Sequence, residues 1–240
     1  MGRLSQDDRL GPYRIVGPLD RDWAAAEREY QRAIALRPDY ATAHQWYGEL
    51  LTSRGRKEEA RAAMERAREL DPLSAIIAAS DIWLELMFRD YDAAVRSGRS
   101  TIAAFPDFPS ARSYTARALL EKGQNSEAIA MHRTAVSLRP SKILELWLAE
   151  ALARDGKTSE ALAIVRRIEA GGEYVNPYYL AFPYIALGDQ ERALDLLEEA
   201  LETSVEQLAW FDLDPSLDPL RTSPRFQSMS KRLEVPRIQD

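Results

Sequence analysis

Four prolines, Pro38, Pro72, Pro106 and Pro140, stand 34 residues apart. A fixed step of that size is the mark of a repeat array, in which each unit is one supersecondary element. Alanines keep the same step at Ala26, Ala60, Ala94 and Ala128, and a second series runs Ala33, Ala67, Thr101 and Ala135. The phase is shared. A chain of 240 residues built this way stacks short units in a row instead of closing around one central core.

Between the anchors the apolar spacing predicts helices over 40–53 and 57–70, broken at Gly55 and closed by Asp71-Pro72. Gly55, Gly123, Gly156 and Gly188 fall where the first helix of a unit must end, and glycine takes a left-handed terminal conformation without steric cost; Arg89 replaces it once. Small alanines at the crossing let the paired helices approach closely. Residues 23–36 read as a second helix, with Ala26, Tyr30 and Ala33 in phase, while Gly11-Pro12 and Gly17-Pro18 break the region that would hold its partner. The expected organisation is therefore an extended leader over 1–21, a solenoid over 22–203, and a cap and tail over 204–240. Gly98, inside the second helix of the second unit, is expected to cost about 1 kcal/mol relative to alanine.

This pattern resembles the tetratricopeptide repeat. The best unit carries it at His44, Tyr47, Gly48, Leu51, Ala60, Met64, Ala67 and Pro72, and the next unit departs at Ile82, Glu85, Arg89, Gly98 and Thr101. Ala116, Leu119, Gly123, Ala128, Ala135 and Pro140 recover it, followed by Leu148, Ala149, Leu152, Gly156 and Ala161. A fifth unit, opened by Asn176-Pro177, shows Leu180, Ala181, Tyr184, Gly188, Ala193, Leu197 and Ala200. The resemblance implies an all-α fold, a right-handed alpha-alpha superhelix of about five and a half helix-turn-helix repeats with a C-terminal capping helix. The tail, with Asp218-Pro219-Leu220-Arg221 and then Pro224-Arg225-Phe226, resembles the ends of such domains in bacterial signalling proteins attached to winged-helix regulators, adenylate cyclases or Ser/Thr kinases. Physically it reads as a cap, with Phe226, Met229 and Leu233 forming one apolar face for the last repeat. The leader around Tyr13-Arg14-Ile15-Val16 resembles the first strand of bacterial protein kinases. No glycine-rich loop, His-Arg-Asp or Asp-Phe-Gly follows it, which excludes kinase activity.

Charge and composition narrow the function classes. A net charge of -6 repels a polyphosphate backbone, so nucleic acid is not the expected partner. The absence of cysteine excludes a disulfide framework and a thiolate metal site. The most apolar stretch, 76–88, is interrupted by Asp81 and Glu85 and is too short to cross a bilayer, and no signal-like segment opens the sequence; a cytoplasmic location is expected. His44 and His132 fall on packing positions, while Glu58-Glu59 and Glu198-Glu199 read as solvated helix surface. Nothing resembles a nucleophile elbow, a P-loop or a dinucleotide fingerprint, so no catalytic residue, metal or cofactor is expected. A helical toroid hydrolase would need longer repeats and two converging carboxylates.

The resemblance places function in a concave groove lined by first helices, taking a protein or peptide partner. Carried over unit by unit, its inward positions are Gln45, Glu49 and Ser53; Ala79, Trp83 and Met87; Ser113, Arg117 and Glu121; Leu146, Glu150 and Arg154; and Tyr178, Phe182 and Ala186. Apolar Trp83, Met87, Tyr178 and Phe182 flank a charged middle of Arg117, Glu150 and Arg154, which suits an amphipathic peptide. Gln45 and Glu49 stand where a carboxylate clamp for free C-termini would need Lys and Asn, so that partner is not expected. Two other readings remain: a regulatory module of a bacterial signalling system, and a homo-oligomer formed through Trp23, Tyr30 and Ile34 of the N-terminal half-repeat.

Overall fold

Two kinds of helix alternate along the chain, and the sequence explains the difference. In α3, Lys57–Leu70, the buried residues are Ala60, Ala63, Met64 and Ala67, the i, i+3, i+4, i+7 stripe of a helix with one face in water. In α8, Lys142–Arg154, every residue from Leu146 to Ala153 is buried, because this helix is sandwiched between neighbours on all sides. A computed structural model describes residues 9–10, 13–14, 23–203 and 207–233.

Among these, α1 (Trp23–Leu36) stands alone as a second helix, and five pairs follow. They are α2 (Ala41–Ser53) with α3, α4 (Ala75–Met87) with α5 (Tyr91–Ala104), α6 (Pro109–Glu121) with α7 (Asn125–Leu138), α8 with α9 (Thr158–Ala170), and α10 (Pro177–Leu187) with α11 (Gln190–Thr203). The result is an alpha-alpha superhelix of five and a half repeats, built on a core that runs along the stack. Trp23, Tyr30 and Ile34 are all partly buried. In the leader, Arg9–Leu10 pairs antiparallel with Tyr13–Arg14; Ile15 and Val16, expected to continue the extended segment, lie outside the described residues. No helix among the described residues is long and apolar enough to cross a membrane.

Helix ends follow the punctuation. Gly55, Gly123, Gly156 and Gly188 adopt φ values between 72° and 83°, the left-handed region. Arg89 adopts φ 61° at the equivalent place, although a side chain is strained there. Asn176 caps α10 by accepting the Tyr178 N–H at 3.0 Å, with Pro177 at the first helical position.

Gly98 has a different purpose from the one expected of a helix-weakening residue. A Cβ built on it would lie 2.0 Å from Thr115 Oγ1, so the glycine is the condition for α5 and α6 to approach as closely as they do. The weak sequence match of the second unit therefore conceals a regular helix pair with an unusually tight junction to the third.

After α11 the chain forms two 3₁₀ segments, Gln207–Trp210 and Pro215–Leu220, and then α12, Pro224–Leu233. Phe226, Met229 and Leu233 are buried as a cap requires, and Phe211 stacks on Phe226 with ring centroids 4.5 Å apart. Arg225 holds α12 to α11 through Glu191, Asp195 and Glu198. The stretch between α11 and α12 does more than cap: it turns back into the concave face.

Candidate functional site

Part of the groove is occupied by the chain itself. Arg117 on α6 is 2% exposed, and its Nη2 donates to Asp214 Oδ1 at 2.6 Å and to Ser216 Oγ at 3.0 Å. Ser216 Oγ in turn donates to Glu150 Oε1 on α8 at 2.7 Å, and Tyr178 OH on α10 donates to Asp214 Oδ2 at 3.3 Å. The Arg117 guanidinium lies 5.0 Å from the Trp83 ring centroid and 5.3 Å from those of Trp147 and Phe182, so aromatic faces replace the water that burial removes. Burial pushes the Glu150 carboxyl up, against the opposing pull of Arg117 and Arg154. Below this network, His132 is fully buried, and burial with the nearby Arg117 charge pushes its pKa down to about 3. It is a neutral packing residue, as its repeat position suggested. Among the described residues no group of three or more His, Asp or Glu converges into a metal-ligand set.

Beside this network the face keeps a pocket of about 160 Å³, to which all five first helices and the tail contribute: Glu49, Ser80, Trp83, Tyr114, Trp147, Tyr178, Tyr179 and Trp210 line it. Its walls are a continuous run of rings: Trp210 to Trp83 at 5.8 Å, Trp83 to Tyr114 at 5.0 Å, Tyr114 to Trp147 at 5.9 Å, and Trp147 to Tyr179 at 5.8 Å. Most of these contacts are edge-to-face, the arrangement that aromatic quadrupoles favour. Glu49 Oε1 accepts from Ser80 Oγ at 2.7 Å and from Gln45 Nε2 at 3.1 Å. Burial pushes the Glu49 carboxyl up, and those two bonds pull it partly back. The same burial pushes Tyr114 up to about 12, so its hydroxyl stays protonated.

The inward positions expected from the sequence thus divide. Gln45 is buried beneath Glu49, to which it donates, and Glu49, Trp83 and Tyr178 line the open pocket. Arg117, Glu150 and Phe182 are buried in or beside the network made with the tail. Arg154 is half-buried and pairs with Glu121 at 2.5 Å while also donating to the Leu120 carbonyl. Met87 is 2% exposed and belongs to the core between helices. That part of the groove is therefore filled from within by Asp214 and Ser216, which the sequence reading assigned only to a terminal cap.

Five pocket residues were not anticipated: Ser80, Tyr114, Trp147, Tyr179 and Trp210. A signal existed. Reading one residue past the inward position in each first helix gives Trp46, Ser80, Tyr114, Trp147 and Tyr179, an aromatic at four of five units with the same slips in spacing as the repeat. Ser80 is the gap in that ladder. Its small side chain leaves the space beside Trp83 and turns a hydroxyl toward Glu49.

These features place the chain among known helical repeats. The tetratricopeptide repeat profile matches residues 20–75, 83–143 and 116–174, and the chain belongs to the tetratricopeptide repeat family. Its fold is similar to that of a tetratricopeptide repeat protein from Parabacteroides merdae, with TM-score 0.63 at 17% identity over 82% of this chain and 78% of that one. It is also similar to TTC0263 from Thermus thermophilus, with TM-score 0.58 at 19% identity over 80% and 99% of the two chains. Pseudomonas aeruginosa pilF gives TM-score 0.56 at 15% identity over 90% and 93%. At these identities the likeness is one of fold. No curated protein matches the sequence. In broad function, family membership makes the chain a protein-interaction scaffold.

Proposed function

We propose that the chain is a non-catalytic scaffold that receives a segment of a protein partner on its concave face, over the aromatic pocket. The observation that carries this reading is the tail: Asp214 and Ser216, at the start of the 3₁₀ segment Pro215–Leu220, already sit beside the pocket with their polar groups on Arg117 and Glu150. The same face thus accepts a short chain segment through polar side chains, and the pocket beside it offers Trp83, Tyr114, Tyr179 and Trp210 as anchors for a partner. Arg117, Glu150 and Phe182 support that surface from beneath, so they act on a partner only through the tail.

Photo-crosslinking tests it. A benzophenone side chain is placed at Tyr179, in the pocket, and separately at Glu65, exposed on the outer face of α3. The expected result is partner peptides cross-linked from Tyr179 and none from Glu65. Equal capture from both, or capture from Glu65 alone, would move the interaction off the groove.

A further inference from the structure

We infer that the aromatic pocket is a receptor for an alkylated ammonium head, the chemistry shared by a methylated lysine side chain and a free quaternary amine. The inference rests on the groove reading for its context and adds what the groove selects.

Three observations converge. First, the walls are electron-rich: six of the eight residues around this small volume are Trp or Tyr, five of them in one continuous run of rings. Ring faces attract a cation whose hydration shell is weak enough to shed, and alkylated ammonium fits that description better than a primary amine. Second, Glu49 is a largely buried carboxylate without a counter-ion. Among the described residues no Lys or Arg forms an ion pair with it, whereas the carboxylates of Asp81 and Glu85 on α4, Glu121 on α6 and Asp214 in the tail each have an arginine. Both hydrogen bonds from Gln45 and Ser80 go to Oε1, leaving the lone pairs of Oε2 for an incoming charge. A buried carboxylate held in place and left unneutralised is the complement of a cationic ligand. Third, the same rings already solvate one cation: Trp83 and Trp147 both lie within 5.3 Å of the Arg117 guanidinium. That charge is balanced by Asp214 and the nearby Glu150, so it does not cancel the field of Glu49.

Size sets the limit. At about 160 Å³ the pocket is well under the roughly 300–1,000 Å³ of clefts that enclose a drug-sized ligand, so it takes a head group and leaves the remainder along the groove.

The test uses the full chain and four probes: choline, its uncharged carbon isostere 3,3-dimethyl-1-butanol, and a short peptide carrying lysine either unmodified or as Nε-trimethyllysine. Tryptophan fluorescence and calorimetry read the binding. Choline or the trimethyllysine peptide is expected to bind saturably and at least tenfold more tightly than the alcohol. The peptide binding more tightly than choline assigns the head to a partner's side chain, and the reverse assigns it to a free amine. Glu49→Gln, which keeps the shape, is expected to weaken the charged probes about tenfold and leave the alcohol unchanged. Ser80→Phe, which fills the gap with the ring type its neighbours carry, is expected to abolish binding while circular dichroism stays native. Equal affinity for choline and the alcohol, or no binding of either charged probe, would overturn the inference. Crosslinking from Tyr179 that persists in that case would leave the scaffold reading standing.

Discussion

Arg117 and Asp214, separated by 97 residues of chain, form an ion pair at 2.6 Å with side chains 2% and 0% exposed. Removing one member strands the other in a site without water. Asp214→Ala is expected to destabilise the fold by roughly 3–5 kcal/mol, the cost of an uncompensated buried charge. Arg117→Met combined with Asp214→Leu is expected to recover only part of that, since an apolar pair restores packing but takes Arg117 from the buried Glu150 and the cap from the Ser216 N–H. Urea denaturation of the parent and the two variants measures both effects; Asp214→Ala within about 1 kcal/mol of the parent would show that the pair is not desolvated as described.

His132 supplies a pH dependence of known sign. Folded, its pKa is near 3, whereas the unfolded side chain titrates near its ordinary value of 6.5. The unfolded state therefore binds the extra proton, and the histidine's contribution is intact above pH 6.5 and is lost progressively as pH falls toward 3. Glu49 and Glu150, raised by burial, act in the opposite sense. Comparison with His132→Leu isolates the effect. The melting temperature of the parent should fall more steeply from pH 7 to pH 5 than that of the variant, and parallel profiles would contradict the assignment.

Ammonium binding should have its own pH profile. Only ionised Glu49 attracts the probe, and its carboxyl is raised, so affinity for choline should decline on acidification at a higher pH than an ordinary glutamate would dictate. The groups around it are Tyr30 of α1, Gln45 beside it on α2, Ser80 of α4 and Tyr114 of α6. Both tyrosines are raised by burial and by Glu49 itself, so neither ionises in this range. Binding of 3,3-dimethyl-1-butanol should be flat over the same interval. A choline profile equally flat would mean that Glu49 is not the group involved.

Gly98→Ala should be harmful although alanine is the better helix former. The propensity gain is about 1 kcal/mol. Against it stands a contact of 2.0 Å with Thr115 Oγ1 and 2.9 Å with Thr115 Cβ, which forces α5 and α6 apart. A net loss of about 1–3 kcal/mol is expected, as for other overpacked sites. Adding Thr115→Ala should return part of it, because the hydroxyl is removed while Cβ remains. Chemical denaturation of the single and double variants gives the answer, and an increase in stability for Gly98→Ala alone would refute the packing argument.

Much of the fold was legible because the chain punctuates itself. The helices expected over 23–36 and 57–70 match α1 and α3 residue for residue, and the one expected over 40–53 differs from α2 only at Tyr40. Proline and glycine stop helices by local sterics, and local sterics can be read from neighbours. Glu49 and Trp83 were legible as inward positions for the same reason: register is periodic. What was hidden is aperiodic. Nothing in the spacing of Asp214 announces that it will reach Arg117, because that contact depends on the curvature of the repeats that follow Arg117, α7 to α11. The ring ladder was periodic but displaced by one residue from the expected line, and Gly98 resembled a defect because its partner, Thr115, is on another helix.

The clasp between Arg89 and Asp218 changes what kind of object this is. Stacked repeats touch only their neighbours, so such arrays ordinarily fray from either end, each unit answering mainly to the next. Here Arg89, held at φ 61° in the turn after α4, donates two bonds of 2.6 and 2.8 Å to a residue 129 positions later. Together with Asp214 on Arg117 it ties the 3₁₀ segment Pro215–Leu220 and its cap to the second and third units, converting a line into a ring of dependencies. The ring cannot close until four helix pairs are in place. A nick that frees Asp214 and Asp218 is therefore felt in the middle of the array, at Arg89 and Arg117.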